Sequence, residues 1–242
     1  MNFSLFITRV EKLLQVLRQM RGLKALLYYR VLAGVEHRCV LRRDLSTVVD
    51  IGSNRGQFSL AARIIVPHSK IFAFEPLPKP AATFLKIFQR DSMTIFHQVA
   101  IGPKTGEMTI HVSAADDSSS LLPISSLQND LFPGTDEIRT ETVRVGRLSD
   151  FLISESIIAP AMLKLDVQGF ELEALRGCEA LLECFLYVYV ECSFIELYAG
   201  QSLAHEVIAW LGERGFRLIG AYHMSYDRNG HAVQGDFLFS RR

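Results

Sequence analysis

The chain has 242 residues, 49% of them hydrophobic and 21% charged, and its Lys+Arg total of 26 is balanced by an Asp+Glu total of 26. At this length such an apolar fraction supports a sizeable buried core and excludes disorder, while zero formal net charge excludes a global nucleic-acid binder, which carries a basic excess. Cys39, Cys178, Cys184 and Cys192 form no CxxC pair and no metal-ligand spacing, so the pattern predicts reduced thiols in a cytoplasmic protein with no metal site.

The first forty-odd residues, taken as a segment 1–44, are basic. They carry Arg9, Lys12, Arg18, Arg21, Lys24, Arg30, Arg38, Arg42 and Arg43 against Glu11 and Glu36. Val10, Leu13, Leu14 and Leu17 share one helical face, and Leu23, Leu26 and Leu27 continue it after Gly22. Such a helix packs on its own domain or on a partner, or lies at the periphery of an anionic membrane. No run approaches the roughly 18–20 apolar residues of a membrane span. Arg9, Glu11 and Lys12 also fall where a secretory signal needs an unbroken apolar stretch, so the mature chain is expected to start near Met1.

From Thr47 the pattern changes to short β-rich runs alternating with helical stretches. Strands are predicted at Thr47–Ile51, Lys70–Glu75, Thr94–Ala100, Ala161–Val167, Phe185–Cys192, Phe216–Tyr222 and Asp236–Ser240, with helices near Gln57–Val66, Lys79–Arg90, Glu171–Leu182 and Ala204–Arg214. This alternation implies right-handed crossovers and a mainly parallel, doubly wound α/β sheet covered on both faces. The stretch Gly102–Asp150 breaks the rhythm. Glu107–Val112 and Thr142–Val145 can pair as an inserted hairpin, and the Ser-, Asp-, Pro- and Gly-rich Asp116–Asp136 between them reads as a long loop. Loops of that length serve as substrate access or cofactor cover, or are plain surface loops.

The first strand runs directly into a glycine-containing turn and a helix, VVDIGSNRGQF over Val48–Phe58. In a doubly wound sheet this is where a nucleotide-like ligand approaches the backbone, so Gly52, Ser53, Asn54, Gly56, Gln57 and Phe58 are candidate binding residues. Asn54 suits a left-handed backbone conformation. A GxGxxG dinucleotide signature would need glycine at 54 and 57, where Asn54 and Gln57 stand. Asp50, two residues before Gly52, would repel a pyrophosphate and attract a cation. S-adenosylmethionine carries a sulfonium and an ammonium group and no phosphate. Glu75, followed by Pro76 at the end of the second strand, sits at the spacing from which an acid accepts hydrogen bonds from ribose hydroxyls.

The strand containing LKLDV sets Lys164 and Asp166 two residues apart and hence on one side. Charge at a buried strand end needs a reason, either a ligand crevice beside Asp50 or a mutual structural ion pair. Gly169 permits a sharp turn into the next helix, and Glu191, in YVYVEC, is a third acid on the same edge. HExxH, GxSxG and GxxxxGK[ST] are absent. His97, His223 and His231 are the histidines placed to reach a site, although a lone histidine is more often structural.

These segments together, VVDIGSNRGQFS, FAFEP, QVAIG with GEMTIHV, Ser118–Ser120, LKLDVQGFELEALRG, YVYVEC and DFLFS, resemble the FkbM-type methyltransferases over Val48–Ser240. The resemblance implies that residues 45–242 form a class I methyltransferase domain of Rossmann-like architecture, with seven strands and the last antiparallel. It implies S-adenosyl-L-methionine as cofactor and O-methylation of a hydroxyl on a glycan, glycolipid or natural product. It puts the methionine portion at Asp50, Gly52, Asn54 and Gly56, the ribose at Glu75, the adenine edge near Val99 and Ala100, and Asp166 under the transferring methyl. Gln168 stands where the family often has Glu, which puts an acid role at that position in doubt. Asp166 and then Glu191 are the candidate proton acceptors, with Lys164 orienting Asp166. The rival readings are an NAD(P)-dependent oxidoreductase and a non-catalytic scaffold.

Overall fold

A computed structural model describes residues 20–41 and 44–241. In chain order the elements are α1 (Met20–Tyr29), α2 (Arg38–Leu41), β1 (Thr47–Ile51), α3 (Gln57–Ile65), β2 (Lys70–Phe74), α4 (Pro78–Phe88), β3 (Thr94–His97), β4 (Ala100–Ile101) and β5 (Gly106–Ser113). They continue with α5 (Ser126–Leu131), β6 (Glu137–Gly146), β7 (Ala161–Leu165), α6 (Glu171–Cys178), β8 (Tyr187–Ser193), α7 (Ala204–Glu213), β9 (Phe216–Tyr226) and β10 (Ala232–Arg241).

Seven strands form one sheet in the order β3-β2-β1-β7-β8-β10-β9, and a smaller sheet has the order β4-β6-β5. β1 pairs in parallel with both β2 and β7, whereas β10 runs antiparallel between β8 and β9. The doubly wound sheet with its last strand reversed is therefore present as expected. The order reverses direction at β1, where ligands bind in open α/β sheets.

Strand periodicity sorts the core into two layers. Val49, Ile51, Phe72, Phe74, Leu163 and Leu165 face α6 and α7, which contribute Leu172, Leu175, Val207 and Leu211. Val48, Ile71, Ala73, Met162 and Tyr189 face the other way, onto Phe58, Leu60, Phe84 and Phe88 of α3 and α4. Residues before β1 complete this second layer through Ala25, Val35, Val40 and Leu41. The amphipathic face expected at Val10, Leu13, Leu14 and Leu17 lies outside the described residues. Its continuation does form a helix, and α1 runs through Gly22 without a break. Its buried side is set by Ala25, while Leu27 is exposed. Among the described residues no helix is long and apolar enough to cross a membrane.

Several local expectations change. The Asp116–Asp136 stretch, expected as a loop, contains the short helix α5, and β9 and β10 extend beyond the expected Phe216–Tyr222 and Asp236–Ser240. The third strand ends at His97 rather than at Ala100, because β4 leaves the main sheet and pairs in parallel with β6. Glu75 and Asp166 stand just beyond β2 and β7, where the chain leaves the sheet and side chains turn toward its carboxyl edge. The inserted hairpin is longer than predicted, with β5 and β6 pairing from Gly106↔Val145 to Ser113↔Glu137.

Glycine at 177 has a packing reason. A Cβ there would lie 2.4 Å from the carbonyl oxygen of Gly102, so α6 packs directly on the backbone leading into the insertion. Alanine would improve helix propensity by about 1 kcal/mol, but overpacking against backbone costs about 1–3 kcal/mol. Gly177→Ala is therefore expected to lower the midpoint of urea unfolding, and a raised midpoint would contradict this packing.

Candidate active site

A hollow of about 270 Å³ opens at the carboxyl ends of β1, β2 and β7. Its lining combines apolar side chains, Leu77, Val99, Ile101, Ile110, Leu121 and Phe170, with polar ones, Ser53, Asn54, Gln57, Lys164, Asp166 and Gln168. A ligand with both an apolar body and charged groups matches this mixed lining.

Two glycines in the β1 turn serve different ends. Gly52 has φ +75°, and a Cβ there would come within 1.8 Å of the Asp166 carbonyl oxygen, so only glycine lets the two strand ends approach this closely. Gly56 has φ +94°, but its missing side chain leaves room for Phe84 and Phe88 of α4, each 2.9 Å from a would-be Cβ. Gly56 is a packing residue outside the lining, unlike the other candidates named in this turn. Asn54 adopts the expected left-handed conformation at φ 46°.

Glu75 ties the first two loops together. One carboxylate oxygen accepts the N–H of Asn54 at 3.0 Å and the other accepts that of Leu77 at 2.8 Å. Burial pushes its pKa up to about 7, against the lowering pull of those two N–H donors. Each oxygen retains a lone pair, and Glu75 and Pro76 both line the hollow, as do Val99 and Ala100.

Asp50 lies behind the hollow rather than in it. Its carboxylate is fully buried, accepts a hydrogen bond from Ser59 Oγ at 2.6 Å and faces Lys164 Nζ at 3.2 Å. The β1–β7 register places the two residues side by side. Lys164 Nζ also donates to the Gly52 carbonyl at 3.2 Å and lies 3.5 Å from Asp166 Oδ2. Burial alone would lower the Lys164 pKa, but Asp50 and Asp166 together raise it, so the ammonium stays charged. The ligand-crevice and ion-pair readings of this strand thus coexist, because Asp50–Lys164 is a buried pair while Asp166 faces the hollow. Asp50, Lys164 and Asp166 carry a summed charge of −1 when ionised.

Gln168 orders the acids at this edge. Its Nε2 donates to Asp166 Oδ1 at 2.7 Å and to Glu191 Oε2 at 2.8 Å, and its Oε1 accepts from Tyr198 OH at 2.7 Å. A glutamine can supply both donors and the acceptor at once, whereas a glutamate would set three carboxylates together. Glu191 touches this network from outside the lining, and its pKa is raised by burial and by Asp166. Glu171 shapes the same turn, with Oε1 accepting the N–H groups of Val167 and Gly169 at 3.1 Å each.

The long insertion loop reaches the hollow through Asp116, Asp117, Ser119 and Leu121. It is held there by Arg55 Nε, 3.2 Å from Asp116 Oδ2, and by Ser120 Oγ, which donates to the Gln168 carbonyl at 2.6 Å. Glu36 and His37, from the segment before β1, line it as well. Sequence reasoning missed these two, since no motif surrounds them; the signal available was only that a basic segment must cover something. His223 bonds Asp236 beside His37, whereas His231 is tied to Asp227 in an exposed turn away from the hollow and His97 stacks on Phe74 outside the lining.

Two polar atoms in the lining test the fit of a ligand. Ser53 Oγ and Gln57 Oε1 are buried and find no hydrogen-bond partner among the described residues. Buried polar groups are rarely left so. Both line the hollow, where a ligand bearing an ammonium and a carboxylate would satisfy them.

A family model described as the methyltransferase FkbM domain matches residues 50–218. The 2-O-methyltransferase NoeI of Sinorhizobium fredii is 28% identical over 211 residues, covering 82% of this chain and 81% of that protein. The 31-O-demethyl-FK506 methyltransferase FkbM of Streptomyces tacrolimicus is 29% identical over 212 residues, covering 75% and 78% respectively. Methyltransferase 1 of Beauveria bassiana is 28% identical over 148 residues, 56% of this chain and 59% of that one.

Proposed function

We propose, because the chain belongs to the FkbM methyltransferase family, that it transfers a methyl group from S-adenosylmethionine to a hydroxyl oxygen of a glycan, glycolipid or small natural product. The observation that carries this reading is the lining of the hollow, where Glu75 stands among the apolar Leu77, Val99 and Ile101 and the polar Ser53, Asn54, Gln57 and Asp166. Two relatives bear names that specify O-methylation, which supports oxygen as the acceptor atom. The family match favours neither an oxidoreductase nor a scaffold.

The residues suit the group. Val99, Ala100 and Ile101 would flank the adenine, Glu75 would accept from the ribose hydroxyls, and Ser53, Asn54 and Gln57 would meet the amino-acid tail. When bound, S-adenosylmethionine supplies a methyl on positively charged sulfur, already joined to a good leaving group. The protein then has to align the acceptor and take up a proton. Asp166, which lines the hollow beside Lys164, is the proposed proton acceptor. Lys164 and Gln168 hold its two oxygens from opposite sides, and Glu191, linked through Gln168, is the next candidate.

Titration with S-adenosylhomocysteine and with NAD tests the reading, and binding of NAD alone would overturn it. The titration should also depend on pH. Ribose hydroxyls donate to the ionised form of Glu75, so the bound carboxylate has a lower pKa than the free one near 7. Affinity is therefore expected to be level above about pH 8 and to weaken by up to about tenfold per unit below pH 7, with a proton released on binding near pH 6.5. Calorimetry in two buffers of different ionisation enthalpy measures that proton. Affinity that stays flat down to about pH 5.5 would remove Glu75 from the ribose site.

A further inference from the structure

Beside the hollow, which His37 lines, four side chains from separate parts of the chain converge. Asp236 Oδ2, on β10, accepts from His223 Nδ1 at 2.7 Å and from Tyr189 OH at 2.8 Å. His37 Nδ1 lies 2.9 Å from Tyr189 OH and 3.8 Å from Asp236 Oδ2. The liganding atoms of His37, His223 and Asp236 all lie within 4.8 Å of one another. We propose that these three residues form a site for a divalent transition-metal ion such as zinc, bordering the methyl-transfer hollow through His37.

Three observations carry this. The first is chemical: two imidazole nitrogens and one carboxylate oxygen are a ligand set suited to such ions. Metal bonds of about 2.0–2.2 Å place ligand atoms roughly 3–3.6 Å apart, so small side-chain rotations bring these three into range. The second is the backbone. His223 has φ 47°, a left-handed conformation inside a strand, at a place where the β9–β10 register shifts between Gln234 and Asp236. Bulges with such conformations re-aim a side chain and persist near functional sites. Here the bulge turns His223 onto Asp236.

The third is charge. Asp236 and Glu191 are direct cross-strand partners, so two carboxyl groups meet at this place in the sheet. A cation on Asp236 would offset negative charge gathered there. Tyr189, almost wholly buried, would hold the carboxylate in place from behind, as outer partners of metal ligands do. Because His37 also faces the hollow, an ion here would stand where it can coordinate an acceptor oxygen. This last role rests on the methyltransferase reading; the ion site itself does not.

The test is titration of the full-length protein with Co²⁺ as a spectroscopic probe, followed by competition with Zn²⁺. One equivalent is expected to bind with visible ligand-field bands and no thiolate charge-transfer band. His223→Ala and Asp236→Asn are each expected to weaken binding on the order of 10- to 100-fold or more, with S-adenosylhomocysteine affinity unchanged. His223 is partly exposed, so its variant should fold even where the Asp236 variant does not. Absence of the bands, or bands that persist in the His223 variant, would overturn the site. Failure to bind S-adenosylhomocysteine would instead overturn the methyltransferase reading and leave the ion titration standing.

Discussion

Asp166→Asn is expected to lower the rate of methyl transfer by about 10²- to 10⁴-fold, the range that a positioned proton acceptor contributes, while leaving the protein folded and able to bind S-adenosylhomocysteine. Asparagine keeps the shape of the side chain and an oxygen that can accept from Gln168 Nε2, as Asp166 Oδ1 does at 2.7 Å. What it loses is the basic oxygen and the charge 3.5 Å from Lys164 Nζ. The lysine retains Asp50 and the Gly52 carbonyl, and the Asp166 side chain is 40% exposed, so water can solvate the new amide. Rate and stability should therefore separate. Single-turnover transfer of labelled methyl, run beside urea unfolding, measures both. A variant with near wild-type rates would falsify the assignment of Asp166 and shift the role to Glu191, whose Gln variant is the companion experiment.

The parts of this site that the sequence made legible are those in which one residue has one local reason. The apolar runs marked all seven strands of the main sheet, most clearly the central β1 and β7, which are buried along their whole length. Asn54 was legible because few side chains tolerate a left-handed backbone, and Glu75 because its distance from the glycine turn is fixed by one helix and one strand. Gly56 was read in the right turn, but the aromatic rings of Phe84 and Phe88 that demand it come from another helix. The third strand was read too long because Val99, Ala100 and Ile101 are as apolar as a strand of the main sheet, while pairing to β6 depends on residues far along the chain.

Groups that act only by convergence were harder to see. Gln168 looked like the loss of an acid, yet it bonds Asp166, Glu191 and Tyr198 at once, a use visible only when all three are in place. His37, His223 and Asp236 come from the segment before β1 and the final hairpin, so no spacing rule could join them. Spacing along the chain cannot register a cluster that a bulge brings together in space.

The second large effect concerns stability. Lys164→Met is expected to destabilise the fold by about 3–5 kcal/mol, because removing one member of a buried pair strands the other charge. Asp50 is wholly buried, and without Lys164 it keeps, among the described residues, the hydroxyl of Ser59 as its side-chain partner. Methionine fills a similar volume, so lost packing is a small part of the cost. Asp50→Asn should cost less, since Lys164 still faces Asp166 and the Gly52 carbonyl. The double variant Asp50→Asn, Lys164→Met contains no stranded charge and should recover much of what Lys164→Met loses. Urea unfolding of the four proteins closes a double-mutant cycle, and neighbouring residues that interact show a coupling well above the roughly 0.5 kcal/mol scatter of independent sites. Simple additivity would mean that the two charges do not sense each other and that the pair contributes nothing to holding β1 against β7. If coupling is found, the recovered stability should come without recovered turnover, because the double variant restores the sheet but not the ammonium that holds Asp166. That outcome would separate the structural task of Lys164 from its positioning task within one set of proteins.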